Sequence, residues 1–402
     1  EEILERLGTG AVLETGSTAL PVDPDLLRRQ VNERLAAIYL GRGHYQRALE
    51  KLTFLSATHE LIPDSRDLVQ VYRTMAEVYQ QNGEQANALY FLEKSLKLCL
   101  SKLAEHPSAE RRPSPLPEKM TEECLLTLLA LARYHVGRET LEESERVLKD
   151  CLERAGGSSV HRESTCRAHA LMADIESRRG NHARALSENL EALRLAEEEG
   201  TLPLRLETLA GVGWSYLSRG EYDKAAAHFE RGVEISQGLE SKFDTASLLS
   251  SLGTLHHNRA DHHKALECFT RSLVLNTQIG DVKGIANSYN NLGIVHRLKD
   301  DLAQASDCYK RAIDLFSRIN DQSGMAAGMN NLSSILELDG KYNEALDYSF
   351  RALDKRKKSR SRSGMAFSYY RIGKIYQSKG ELDKAVTYAE KSLQIRVELG
   401  EK

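Results

Sequence analysis

Tyr289-Asn290-Asn291-Leu292-Gly293, followed after six intervening residues by Asp300-Asp301-Leu302-Ala303-Gln304-Ala305, decides the fold of this chain. Around it apolar residues keep helical spacing, first at Ala286, Tyr289, Leu292 and Gly293, then at Leu302, Ala305, Tyr309, Ala312 and Ile313. Two such runs separated by a polar break predict a helical hairpin. The pattern recurs every forty residues. A small or turn-prone residue stands at Gly43, Gly83, Thr140, Gly180, Gly220, Ala260, Asp300, Gly340 and Gly380, with one gap seventeen residues longer than the rest. Five residues on come Ala48, Ala88, Glu145, Ala185, Ala225, Ala265, Ala305, Ala345 and Ala385, and eight before come Leu35, Met75, Ala132, Met172, Val212, Leu252, Leu292, Leu332 and Ile372. Only the third unit departs badly.

Glycine at the turn gives the backbone freedom needed to leave the first helix, and alanine five residues later lets the second helix lie close. One hairpin cannot bury its own apolar face, so neighbours must stack into a superhelix with a concave and a convex surface. The expected hairpins cover approximately 26–61, 66–100, 119–155, 162–199, 203–239, 243–278, 282–319, 322–358 and 362–400. Residues 1–25 read as a lead-in segment that could also lie in the groove as an internal ligand. Residues 101–118 hold half of the eight prolines and read as a loop insertion or a docking site for a partner. After the last hairpin no polar helix follows to cover Val386, Leu393 and Ile395, so further protein, a partner or a second copy is expected at that end.

Composition narrows function. The 402 residues are 41% hydrophobic, 28% charged and 6% aromatic, which suits water-soluble helices. A net charge of -3 lacks the basic excess of a phosphate-backbone binder. The six cysteines, Cys99, Cys124, Cys151, Cys166, Cys268 and Cys308, form no CxxC pair and read as reduced core residues of a cytoplasmic protein. No apolar run is long enough to span a bilayer, and the first residues are unlike a secretory signal.

The quoted hairpin resembles the tetratricopeptide repeat family over residues 26 to about 400. Its forty-residue spacing, with the linking sequence Gly280-Asp281-Val282-Lys283-Gly284-Ile285-Ala286, is similar to spindle-orientation adaptors of the Leu-Gly-Asn type, kinesin light chains and bacterial signalling arrays. The resemblance implies an all-α, right-handed superhelical solenoid of about nine hairpins whose first helices, here called A helices, line a concave groove. Carried over, it places Trp214, Ser250, Thr254, Asn287, Asn290, Asn291, Arg297, Asn330, Asn331, Tyr370, Arg371 and Lys374 on that groove, along with Phe367 and His257. Asn291 and Asn331 match the family's peptide-gripping asparagine. Asparagine both donates and accepts, so a ladder of them can pair with the backbone of an extended peptide without reading its side chains. Arg297, Arg371 and Lys374 favour an acidic residue or a carboxylate terminus. Trp214 reads either as an aromatic anchor or as packing between hairpins, and Asn290 and Asn291 could merely satisfy bonds between helices. Hairpins one to four offer no single ligand chemistry.

Three features invite other readings. His256-His257-Asn258-Arg259-Ala260-Asp261-His262-His263 suggests metal, but His256 and His296 fall where other hairpins carry tyrosine, and packing explains them. Lys355-Arg356-Lys357-Lys358-Ser359-Arg360-Ser361-Arg362 reads as a solvated loop, with an anionic partner, a phosphorylation site or a nuclear import signal as alternatives. Phosphate-loop, HExxH and GxSxG motifs are absent, so neither cofactor nor metal is expected and catalysis is improbable. The leading expectation is therefore an adaptor or scaffold for a protein or peptide ligand. A ligand-sensing regulatory region fused to a kinase or ATPase is the main rival, and a nucleic-acid-binding helical repeat the lesser one.

Overall fold

The computed structural model describes residues 24–41, 44–60, 65–105 and 115–399. Among these residues all long elements are α-helices, in chain order α1 (Pro24–Gly41), α2 (Tyr45–Glu60), α3 (Ser65–Gln81), α4 (Gln85–Glu105), α5 (Pro115–Gly137), α6 (Leu141–Ala155), α7 (Arg162–Arg178), α8 (His182–Glu199), α9 (Leu202–Ser218), α10 (Tyr222–Gly238), α11 (Lys242–Asn258), α12 (His262–Ile279), α13 (Val282–Leu298), α14 (Leu302–Arg318), α15 (Gln322–Leu338), α16 (Tyr342–Lys358), α17 (Arg362–Lys379) and α18 (Leu382–Glu398). They pair as hairpins, odd-numbered helices being A helices and even-numbered ones B helices. A 3-10 turn at Ser159–His161 precedes α7. None of the described helices is long and apolar enough to cross a membrane. The chain divides into two compact units, one of residues 1–134 with 146–156, the other of residues 135–145 with 157–402.

The forty-residue period has a local cause that is clearest in the second unit. From α9 onward each helix runs seventeen or eighteen residues. Each of the links between them passes through a left-handed residue: Gly220, Glu240, Ala260, Gly280, Asp300, Asn320, Gly340, Arg360 and Gly380. The N–H of the next residue reaches back five residues to a carbonyl, as in Asp301 to His296 at 2.9 Å and Lys341 to Leu336 at 2.8 Å, which closes the preceding helix in a Schellman arrangement. That same residue often opens the next helix. Asp261, Asp301, Asp321 and Ser361 each accept a hydrogen bond from the N–H three residues on. A link and a helix thus repeat every twenty residues, and two repeats make one hairpin.

This mechanism corrects the reading of the third hairpin. Its left-handed residue is Glu139, with φ 61°, and not Thr140. Shifting the register by one puts Ser144, fully buried, where other hairpins have alanine, so Glu145 no longer falls at the close approach. The extra residue is absorbed around Gly156 and Gly157, both left-handed, and the 3-10 turn that follows. The proline-rich stretch is also shorter than its sequence suggests. Helix α4 continues to Glu105, and α5 begins at Pro115, where a missing N–H costs nothing; residues 106–114 lie outside the described residues. So do residues 1–23, with the internal-ligand reading of the lead-in, and the first turn at Gly43.

Packing inside the second unit follows a pairing rule sixteen residues apart. In hairpins five to seven the glycine at this position sits under an aromatic ring of the B helix: a Cβ on Gly213 would lie 2.5 Å from Phe229, on Gly253 2.6 Å from Phe269, and on Gly293 2.6 Å from Tyr309, whereas in hairpin nine Gly373 lies against the backbone of Ala385 and Ala389. Hairpin eight replaces glycine and ring by two buried serines, Ser349 Oγ donating to Ser333 Oγ at 3.0 Å. In the first unit the same positions hold buried alanine and leucine, at Ala36 and Leu52, Ala76 and Leu92, and Ala132 and Leu148. A large partner therefore goes with no side chain, and a medium one with a methyl group. All six cysteines are buried and unpaired by disulfide. Burial raises the Cys151 and Cys166 thiols to about 12.

In the first unit Tyr79 stacks on Phe91 at 5.5 Å, and Arg73 pairs with Glu123 at 2.8 Å. At the far end of the second unit α18 exposes Leu382, Val386, Leu393 and Val397. The equivalents of Val386 and Leu393 one hairpin earlier, Leu346 and Leu353, are buried in a core cluster with α17 residues.

Candidate functional site

All twelve residues assigned to the groove lie on A helices of the second unit, on α9, α11, α13, α15 and α17. Neighbouring A helices are tied by side chains about one hairpin apart. Asn291 Nδ2 donates to Ser250 Oγ at 3.4 Å, and Asn331 Nδ2 donates to Asn290 Oδ1 at 2.9 Å. These bonds use one donor from each of Asn291 and Asn331 and one acceptor from Asn290. Among the described residues nothing engages the Asn290 amide N–H groups or the Asn291 and Asn331 carbonyl oxygens. The ladder is thus held rigid on one side while keeping both a donor and acceptors on the same strip, the pairing set of a peptide backbone. Asn287 stands exposed one turn earlier on α13.

Thr254 and Ser334, in the register of Trp214, return their hydroxyl protons to the helix backbone, at Ser250 O (3.1 Å) and Asn331 O (2.6 Å). They keep the face polar without adding a free donor. Trp214 does two things at once: its ring meets Phe229 edge-on at 5.7 Å, yet 42% of the residue is exposed. At the opposite end Phe367 and Tyr370 on α17 are 42% and 47% exposed. Three accessible aromatic side chains therefore bracket the amide ladder.

Two assigned residues are differently placed. Asn330 is 2% exposed, and its Nδ2 donates to the buried Ser368 Oγ at 3.1 Å, so it locks α15 to α17 and cannot meet a guest without moving. Arg371 pairs with Glu337 at 2.8 Å, both side chains largely buried, and Glu337 also accepts from Ser378 at 2.7 Å. Its charge is already countered. Lys374 remains an exposed cation, and Arg297 stands against Tyr309, whose hydroxyl is pushed up to about 12 by burial and held back by that guanidinium. Ser368 and Tyr309 are contributors the sequence reading missed, and Glu337, which the sequence places on the same face, is engaged by Arg371. The signal for Tyr309 was present, because a ring recurs sixteen residues after Gly213, Gly253 and Gly293.

The basic run is not wholly a solvated loop. Lys355 to Lys358 form the last turn of α16, where cations complement the helix dipole. Arg356 turns inward, donates to Ser323 Oγ at 2.7 Å and fills the space left by Gly364; burial lowers its basicity. His256 is packed as expected, and burial holds its pKa below the usual value. In the first unit a cavity of about 410 Å³ lies among α1, α2 and α3, lined partly by Gln30, Glu33 and Gln70.

Stacked helical hairpins with a polar, partly aromatic face along their A helices define a helical-repeat interaction protein. A tetratricopeptide repeat model matches residues 164–238, 244–318 and 324–396, more than half of the chain, which belongs to the tetratricopeptide repeat family. Among solved structures the fold is similar to aspartyl phosphate phosphatase F from Bacillus subtilis, at 14% identity and TM-score 0.55, over 96% of this chain and 98% of that one. It is also similar to a Rap protein complexed with Competence and Sporulation Factor, at 14% identity and TM-score 0.54, over 84% of this chain and 99% of that one. Likeness at this identity speaks for the fold alone. No curated protein matches the sequence significantly.

Proposed function

We propose that this chain is a protein-interaction adaptor whose A-helix face, from α9 to α17, holds an extended segment of a partner protein. The observation that carries the reading is the amide ladder. Asn290, Asn291 and Asn331 are fixed by bonds between hairpins and still present one donor group and two acceptors on the same strip. An extended backbone laid along it finds both partners for its N–H and C=O groups, and its side chains at either end meet Trp214 or Phe367 and Tyr370. Lys374 and Arg297 bias the choice toward an acidic segment. A similarly folded protein is known complexed with Competence and Sporulation Factor, which supports a repeat face of this kind holding a guest.

The test is a pull-down from cell extract with the chain and with the Asn291→Ala, Asn331→Ala double variant, helical content being checked by circular dichroism. The adaptor reading expects one or more partners to be lost at unchanged helicity. Equal recovery of every partner by both proteins would remove it.

A further inference from the structure

The junction of hairpins five and six holds a surface cavity of about 510 Å³, among the end of α10, the first half of α11 and the second half of α12. Thr245, Leu249, Val274 and Leu275 give it mostly apolar walls, and its volume lies within the range of small-molecule sites. It shares no residue with the amide ladder.

The flanking hairpins show why this space is open. Forty residues after Leu249 comes Tyr289, whose ring centroid lies 5.5 Å from the Arg311 guanidinium and whose hydroxyl accepts from Arg311 Nη1 at 3.4 Å. Forty residues before Thr245 comes Arg205, which lies across the end of α8 and donates to Ala196 O at 3.0 Å and to Glu197 O at 3.2 Å. Glu197 is the counterpart of Gln237 in the cavity wall. Hairpin six has neither filler. Leu249 is shorter than tyrosine, and Thr245 is held by bonds to Ser236 Oγ at 2.9 Å and Ser241 O at 2.8 Å. Val274, half exposed, stands where hairpins five, seven and eight carry Glu234, Asp314 and Asp354, so the wall stays apolar at its opening.

Arg271, the counterpart of Arg311, also lines the cavity. Among the described residues it has Glu267 at 3.8 Å for a partner and no ring beneath it. Glu240 and Lys242 offset one another at the edge, and Glu267 offsets Arg271, so charge is not what the cavity selects. What it lacks is a flat ring under a guanidinium. We propose that this cavity binds a small uncharged aromatic molecule, whose ring takes beneath Arg271 the place that Tyr289 takes beneath Arg311. The site goes beyond the adaptor reading and stands or falls apart from it.

The experiment labels leucine and valine methyl groups with carbon-13 in the full chain and follows them by NMR during titration with p-cresol, the bare tyrosine ring. The proposal expects ring-current shifts at Leu249, Val274 and Leu275. It expects none at Leu315, the counterpart of Leu275 in hairpin seven, where Tyr289 already fills the space. Leu249→Tyr, which copies hairpin seven, should abolish the shifts of Val274 and Leu275. Thr245→Arg, which copies hairpin five, should do the same even if Leu249→Tyr does not fold. Methylcyclohexanol, of similar size but without a π face, should bind about threefold more weakly than p-cresol. An acetylated, amidated Gly-Tyr-Gly peptide carries the same ring on a backbone that would face apolar walls, and it should also bind more weakly. Tighter binding of the peptide overturns the small-molecule assignment in favour of a partner's side chain. Equal binding of methylcyclohexanol overturns the aromatic one. Shifts that survive both substitutions, or no shifts at about 20 mM p-cresol, overturn the site and leave the adaptor reading standing.

Discussion

Exchanging the glycine beneath Tyr309 tests the pairing rule that sets the distance between A and B helices. In Gly293→Ala the new Cβ falls 2.6, 2.8 and 3.1 Å from three ring carbons of Tyr309, which is fully buried and has no free space to enter. Overpacking of this kind costs up to about 3 kcal/mol, and alanine returns about 1 kcal/mol of helix propensity, leaving a net loss of about 2 kcal/mol. Tyr309→Leu leaves a cavity instead and is expected to cost about 2 to 3 kcal/mol. Combined, the two substitutions recreate the alanine and leucine pair of Ala76 and Leu92. The new methyl group then fills the cavity, so the double variant should lie within about 1 kcal/mol of the parent, a coupling of about 3 kcal/mol. Thermal unfolding, with native-state hydrogen exchange of α13 and α14 amides, measures all three variants. Additive losses in the double variant would refute the rule, as would a Gly293→Ala protein as stable as the parent.

Other perturbations follow from the same contacts. Burial holds both His256 and His257 below 6.5, so the unfolded chain takes up protons first as pH falls. Stability should be full above about pH 6.5 and decline below it until the folded values are passed, and melting curves of His257→Gln should show a shallower decline. Ala260 and Asp300 hold left-handed φ of 59° and 62°, and replacing each by glycine should raise stability by about 1 kcal/mol in thermal melts. Glu337→Gln leaves the largely buried Arg371 without its counter-charge and should cost about 1 to 3 kcal/mol, read by the same melts. Ser361→Ala removes the cap of α17 and should cost about 1 kcal/mol, with faster hydrogen exchange in its first turn.

The architecture was legible because its determinants are local. Apolar spacing, a turn residue every forty positions and a small residue five further on are all properties of neighbouring residues, and they locate the hairpins without reference to distant contacts. The third hairpin misled because Glu139 adopts the left-handed turn in place of a glycine, so the sequence marker was missing although the backbone geometry was kept. Which polar side chains remain available on the A-helix face was less legible. Asn330 and Asn331 are adjacent and identical in type, yet one is buried against Ser368 and the other keeps an open carbonyl. Arg371 and Lys374 share a helix and a charge, and only the first finds a glutamate in the preceding hairpin. Such differences depend on partners thirty-four to forty-one residues away, which periodicity places nearby but does not pair.

The most direct measurement of the central claim places a photo-crosslinking amino acid at Thr254 or Ser334 on the A-helix face, and at Glu267 or Lys310 on B helices, and exposes each protein to cell extract. The adaptor account expects one common polypeptide to be captured from both A-helix positions and from neither B-helix position. Capture confined to the B-helix positions would contradict it.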